Sequence, residues 1–353
     1  MSAMMIKNPR SAVGISALAF RATATRPSAM LAHCPVYQPS PLQHLPSLAA
    51  KFAVATIWAK DETQRMRLGS FKALGGAFAI AQMIKQLADV ANEDLLGEKA
   101  LACAQELTFV TASAGNHGLS VAAGARVFGA KSVVVLDASV ADDFVARIRA
   151  AGAVVERVAG SYEDAVAQAG MLAERHGWIL LADGSWPGYL ERPALVMEGY
   201  TVLAEECQRC FQQSAEWPSH IFLQAGVGGL AAAFAAHVRQ HWPYQPEIIV
   251  VEPDRAACLL QSMQVGQLTR AKGAASNMGR LDCKDASLIA FDALKHYADA
   301  FVTITEEQAE DAVFLLAEQG ISTTPSGAAA LAAIAAKSPG ANAKCLFVAT
   351  EMA

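Results

Sequence analysis

Three short segments and one carboxylate carry the residue types that could do chemistry in this chain. In Arg65–Phe78, RMRLGSFKALGGAF, Lys72 follows Ser70 and Phe71 and precedes Gly75 and Gly76. Apolar and small neighbours strip water from an amine, lower the cost of its neutral form and suit it to Schiff-base formation or proton abstraction. A solvated lysine beside a helix start is the plainer alternative. Ser113–Gly118, SAGNHG, links an apolar run to an Ala-rich stretch. Small residues at such a turn expose backbone N–H groups that can hold a carboxylate, and Asn116 adds a side-chain donor. His117 could act as a base, but its place in a helix-opening turn favours hydrogen-bonding support. Gln224–Leu230, QAGVGGL, places glycines where backbone donors and a helix N-terminus can bind phosphate, or where a turn packs tightly. Asp183 heads the segment DGSWPGY. There it could hold a second ammonium group on a substrate, or cap the Ser185–Tyr189 turn.

The third segment admits a rival. Gly226, Gly228 and Ala231 fit GxGxxA, and Glu252 closes the next apolar run where a ribose-binding acid would sit. A dinucleotide site built on them would leave Lys72 and SAGNHG without a purpose.

The elements that must position these residues follow from the alternation of apolar runs and helical stretches. Strands are expected at 54–59, 108–111, 132–136, 154–158, 178–181, 220–224, 247–251, 301–303 and 344–349. Helices are expected over 74–90, from SAGNHG to Phe128, and over 141–151, 194–213, 306–319 and 326–336, with another running from the glycine segment to Gln240. Ser161 and Asp164 have the spacing of a capping box, and KDETQR, 60–65, is expected to be a polar loop. Strands that are apolar throughout belong to parallel sheets covered on both faces, and there are more units than one compact sheet needs. The expectation is two doubly wound α/β domains.

Composition narrows the function classes. A chain of 353 residues with 53% hydrophobic and 17% charged residues can bury a large core. A net charge of −5, without a basic run, argues against a nucleic-acid partner. The apolar stretches 229–238 and 328–336 are too short to cross a bilayer, so no membrane partner is expected. Seven scattered cysteines do not form a secreted disulfide framework, which suits a reducing cytoplasm. Cys207 and Cys210, with His237 and His241, are spaced too widely for a zinc finger, and no metal is expected. Residues 1–30 contain Lys7, Arg10, Arg21 and Arg26 and no acid. That charge resembles a transit peptide, but without its amphipathic arginine pattern the segment reads as an arm.

Taken together, a lysine in SFKALGG, then SAGNHG, then AGVGGL resembles the fold-type II family of pyridoxal-phosphate enzymes, which includes threonine dehydratase, serine racemase and cysteine synthase. Within it the likeness runs to the diaminopropionate ammonia-lyases. It is carried by KDETQRMRLGSFKALGG, by DGSWPGY, by SNMGRLDCKDASLIAFDAL at 276–294 and by the terminal VATEMA, and spans the chain from about Tyr37. The resemblance implies that Lys72 binds pyridoxal 5'-phosphate covalently and later shuttles the α-proton, with Phe71 beside the ring. It implies that Asn116 meets the phenolic oxygen, that Gly226, Val227, Gly228 and Gly229 hold the phosphate, and that the Thr350 hydroxyl meets the ring nitrogen. Ser113, Ala114 and Gly115 would face the substrate carboxylate, with His117 and Asp183 completing the substrate site. The family also implies a homodimer. Cys258 and Cys283 fall where the ammonia-lyase pattern places cysteines, and a reducing compartment argues against a bridge. The chain departs from that pattern at Ala114, where the ammonia-lyases carry Asp and threonine dehydratase does not.

The sequence is accordingly expected to fold as a tryptophan synthase β-subunit-like enzyme with the cofactor between its two domains. Residues 1–107 and 190–353 would form the large domain and 108–189 the small one. The expected activity is α,β-elimination from 2,3-diaminopropionate, with preference for the L-enantiomer. The alternatives are a serine, threonine or 3-hydroxyaspartate dehydratase and, in a different class, an NAD-dependent oxidoreductase.

Overall fold

The computed structural model describes residues 4–8 and 18–353. The remaining part of the N-terminal arm expected from the sequence lies outside the described residues. Among the described residues eleven strands form two sheets. In chain order they are β1 (Met5–Lys7), β2 (Leu42–His44), β3 (Thr56–Asp61), β4 (Thr108–Ala112), β5 (Lys131–Asp137) and β6 (Val154–Val158). They continue with β7 (Ile179–Leu180), β8 (His220–Gln224), β9 (Glu247–Pro253), β10 (Ala300–Ile304) and β11 (Lys344–Ala349). The larger sheet has the order β1-β10-β9-β8-β11-β3-β2 and the smaller one β6-β5-β4-β7.

The apolar runs behave as their composition demands. β10, β9, β8, β11 and β3 are mutually parallel and almost wholly buried. A strand that helices cover on both faces gains from apolar residues at every position, so alternation disappears. The smaller sheet is parallel throughout. Two α/β domains result, as expected. The strands of the smaller one come from 108–180, and those of the larger one from before and after it.

The short edges escaped the sequence. β1 pairs antiparallel with β10, and β2 pairs antiparallel with β3. Three-residue strands carry no readable period, so their partners decide them. The KDETQR loop is also different from expectation. Lys60 and Asp61 belong to β3, and Lys60, Glu62 and Arg65 are buried: Glu206 on the helix Glu191–Ser214 supplies counter-charge to Lys60 and Arg65 from far away in sequence, and Arg65 supplies it to Glu62. The Ser161–Asp164 capping box is present at the start of Tyr162–His176. His237 is packed with its ring nitrogens 3.1 Å from the Ala22 carbonyl and 3.2 Å from Gln208 Oε1.

The helix Lys72–Ala88 lies against both Asn116–Val127 and Glu191–Ser214. Its close approach to the second depends on two glycines. A Cβ on Gly75 would sit 2.7 Å from the Val196 carbonyl oxygen, and one on Gly199 would sit 2.7 Å from that of Leu74. Only hydrogen fits there, and the crossing brings Tyr200 up to Lys72.

Candidate active site

Five parallel strands deliver their carboxyl ends to one cleft, the place where open α/β sheets bind ligands. β3 leads through a 3₁₀ turn to Lys72, β4 to SAGNHG, β7 to Asp183, β8 to the glycine loop and β11 to Thr350 and Glu351. Lys72 is the first residue of its helix, two positions earlier than the sequence suggested. The positive end of a helix disfavours an ammonium, which helps an amine that must react in its neutral form.

Lys72 Nζ lies 2.5 Å from Asp183 Oδ2, with the two side chains 21% and 24% exposed. Burial presses the Lys72 ammonium toward neutrality. The Asp183 carboxylate overrides that pressure and holds the amine well above the usual lysine range. Burial likewise favours a protonated Asp183, and the Lys72 charge, followed by His117, keeps it well below the usual carboxylate range. Phe71 and Tyr200 wall the amine, with ring centroids 5.2 and 5.6 Å from Nζ, and meet each other edge-to-face at 4.9 Å. The buried Tyr200 hydroxyl and His117 Nδ1 lack hydrogen-bond partners among the described residues.

Asp183 does not brace its own loop. Tyr189 does, donating its hydroxyl to the Leu180 carbonyl at 2.9 Å and accepting from the Ala182 N–H at 3.0 Å. Ser185 fixes the other side against Ser287 and the start of Leu288–Tyr297. The Asp183 carboxylate is thereby left facing Lys72. His117 is buried and its Nε2 lies 2.8 Å from the Leu181 carbonyl; burial holds its pKa below the ordinary histidine value.

Two arrays of backbone donors face the cleft. After β8 the chain turns through Gly226, Val227, Gly228 and Gly229 into the helix Gly229–His241. Gly228 has φ +99°, and a Cβ there would press on Leu259 at 3.0 Å and Ala290 at 3.2 Å, so the turn requires glycine. Among the described residues the N–H groups of Gly226, Gly228 and Gly229 donate to no protein acceptor. On the opposite side, those of Ala114 and Asn116 are equally unpaired at the start of Asn116–Val127. Unpaired donors at two helix N-termini suit one phosphate and one carboxylate. The Ala114 methyl packs toward the cluster that contains Val134 and Leu136.

Glu351 was not foreseen. It is buried; its carboxylate accepts from the Asn116 amide and, at 2.5 Å, from the Thr324 hydroxyl. Burial raises its pKa, with Thr324 and Arg280 working against the shift. The only hint lay in its place directly after Thr350. Thr350 is buried, and Gln224 Nε2 donates to its hydroxyl at 3.3 Å. Tyr200 and Arg280 were also missed, since both lie far in sequence from the segments they join.

Glu252 overturns the dinucleotide reading. It is fully buried and accepts the Leu259 and Leu260 N–H groups, each at 2.7 Å, capping the helix Cys258–Val265. Burial pushes its pKa up to about 8. A carboxylate committed to a helix end and closed to solvent cannot receive a ribose. All seven cysteines are free thiols, Cys258 and Cys283 included.

The residues fit pyridoxal phosphate. A glycine cradle with idle donors stands ready for its phosphate, an aromatic wall for its ring, a hydroxyl for its ring nitrogen and a lysine for its aldehyde. The sequence pattern of the family described as pyridoxal-phosphate dependent enzyme matches residues 34–351. The chain is 34% identical to diaminopropionate ammonia-lyase of Escherichia coli over 77% of its own length and 69% of that enzyme's. It is 31% identical to a biosynthetic L-threonine dehydratase of Salmonella typhimurium, over 66% of this chain and 40% of the other. The crystal structure of the E. coli diaminopropionate ammonia-lyase with an aminoacrylate-PLP azomethine reaction intermediate superimposes with a TM-score of 0.90 at 29% identity, covering 99% of this chain and 94% of that one.

Proposed function

This chain belongs to the family of pyridoxal-phosphate-dependent enzymes, and on that premise we propose that it is an ammonia-lyase acting by α,β-elimination. Its first substrate in this reading is 2,3-diaminopropionate, which it converts to pyruvate and ammonia. The observation that carries the reading is the 2.5 Å approach of Asp183 to Lys72. It places an anionic group beside the residue that handles the α-proton, which is where a β-ammonium would lie.

Bound at this site, the cofactor supplies an electron sink for the carbanion left when the α-proton departs. The protein supplies the rest. Backbone donors of Gly226, Val227, Gly228 and Gly229 hold the phosphate, and the adjoining helix adds its field. Phe71 packs beside the ring, Asn116 faces the phenolic oxygen, and Thr350 offers a neutral hydroxyl to the ring nitrogen, so no carboxylate forces a proton onto it. Ser113, Ala114 and Gly115 present the loop to the substrate carboxylate, and His117 steadies that turn from behind. Lys72 Nζ takes the α-proton. While Lys72 is held by the cofactor, before the substrate amine displaces it, Asp183 would lack an ammonium partner and would draw the substrate's second ammonium into the site.

A serine, threonine or 3-hydroxyaspartate dehydratase is the second reading, favoured by Ala114 and by the likeness to threonine dehydratase. A panel of these amino acids, followed for keto acid and ammonia together, separates the two. Two ammonias per keto acid support diaminopropionate; turnover confined to hydroxy amino acids, with one ammonia each, overturns it. A cytoplasmic homodimer and a small lobe bounded at 108–189 belong to the same reading. Seven free thiols support the reducing compartment. Among the described residues no helix is long and apolar enough to cross a membrane.

A further inference from the structure

The cleft contains a cation that the preceding roles leave unused. Arg280 lies in the segment Ser276–Cys283 between the helices Cys258–Val265 and Leu288–Tyr297. Its main chain is fixed: its N–H donates to Ser326 Oγ at 3.1 Å, and the Leu281 N–H donates to the Met278 carbonyl at 2.8 Å. Its carbonyl oxygen abuts Gly226, where a Cβ would sit 3.1 Å away. From this anchor the side chain crosses to the other lobe. A Cβ built on Gly115 would lie 3.4 Å from its Cδ and 3.7 Å from its Nε. The guanidinium carbon stands 5.4 Å from the centre of the Phe144 ring.

Its nearest anion is Glu351, with Nε 3.8 Å from Oε2, beyond hydrogen-bond reach. Among the described residues the guanidinium donates no hydrogen bond, and its side chain is 40% exposed. Glu351 meanwhile accepts from Thr324 and Asn116, so it does not depend on the arginine for partners. A planar fork of N–H donors therefore lies across the loop whose Ala114 and Asn116 N–H groups are also unpaired. Arg280 and this loop lie side by side at Gly115, and both offer donors to an anion.

We propose that Arg280 is a substrate-binding residue that clamps the α-carboxylate together with the Ser113–Gly115 loop. Two parallel N–H···O bonds from a guanidinium fix a carboxylate in orientation as well as position. The assignment rests on reading the cleft as an amino-acid site but not on the identity of the β-leaving group.

The test uses L-alanine and L-alaninamide, which share an amine and have no β-leaving group, so neither can be eliminated. Binding to the holoenzyme is followed by titration calorimetry and by the cofactor's absorbance. The unmodified enzyme should prefer L-alanine, and Arg280→Met should lower that preference by about 30-fold, with Arg280→Lys restoring part of it. The dissociation constant of pyridoxal phosphate from the reconstituted protein and the unfolding midpoint should not change. If both ligands weaken equally in Arg280→Met, the arginine only braces the lobes through Phe144 and the proposal falls. It falls also if cofactor affinity drops while the ligand preference stays, because the guanidinium then serves the phosphate. Failure of diaminopropionate turnover leaves this test intact.

Discussion

Lys60 Nζ lies 2.5 Å from Glu206 Oε2, and Lys72 Nζ lies 2.5 Å from Asp183 Oδ2. Chemistry and distance are the same, and the surroundings differ. Around Lys60 each charge meets several partners. The ammonium also donates to the Ser40 carbonyl at 2.6 Å, and Glu206 accepts from Tyr37 at 2.8 Å and from both terminal nitrogens of Arg65 at 2.9 and 2.7 Å. Arg65 in turn grips Glu62, at 2.7 Å from both Nε and Nη2. Two cations and two anions cancel, and water is shut out.

Around Lys72 the pair stands in a cleft beside a Tyr200 hydroxyl and a His117 nitrogen that have no partners among the described residues, with idle backbone donors on two sides. Burying a charge is tolerable only when the surrounding groups satisfy it, so the first cluster reads as architecture. Where donors and acceptors remain available at the end of a sheet, a ligand is expected to complete them. Saturation, and not charge or burial alone, separates the two regions.

Mutation should separate them in opposite directions. Lys72→Ala is expected to lower turnover by more than about 10⁴-fold, because it removes both the proposed covalent anchor and the proposed proton carrier. Its unfolding midpoint should stay near that of the unmodified protein, and borohydride should no longer fix the cofactor to the chain. A variant that keeps fixation and turnover would dismantle the site. Arg65→Met should do the reverse: it strands Glu62 and leaves Lys60 as the cation on Glu206, at a cost of about 3–5 kcal/mol in urea unfolding, while the protein that remains folded turns over normally. A stable Arg65→Met protein would mean that the network is not the brace described above.

Asp183→Asn probes the overlap between the two behaviours. Losing the counter-charge should weaken kcat/KM for diaminopropionate by roughly 10²-fold and spare serine or threonine. Equal losses on both substrate types would return Asp183 to a structural role. The smallest effect is expected at Ala114. The unmodified enzyme should exchange the α-proton of the L-enantiomer only, since the methyl at position 114, in the loop proposed to hold the substrate carboxylate, carries no proton to exchange. Ala114→Asp should add slow exchange from the D-enantiomer in deuterated water, limited by the apolar cluster against which residue 114 packs. Comparable D-exchange in the unmodified protein would reveal a second base.

Much of the frame was legible in the chain because the signals are local. β6, β8 and β11 begin and end where the apolar runs do, and the capping box at Ser161 forms from residues three apart. Lys72, SAGNHG and the glycine loop each announce themselves within six residues, so the family and its cofactor followed from them. The edge strands β1 and β2 could not be read, because three residues have no period and pairing alone makes them strands.

Local sequence also misjudged charge. KDETQR looks like solvent-exposed loop until Glu206 arrives on a distant helix, and Glu252 looks like a ribose ligand until Leu259 and Leu260 claim both its oxygens. By itself the sequence determined the parallel α/β frame, the lysine at its helix start and the glycine turn, since each is encoded by the types and spacing of adjacent residues. The tertiary structure alone decided which charges are saturated and which stay available. Only folding brings Tyr200 to Lys72 and Glu351 and Arg280 to the SAGNHG loop, and whether a polar group finds its partners depends on neighbours that the order of the chain does not show.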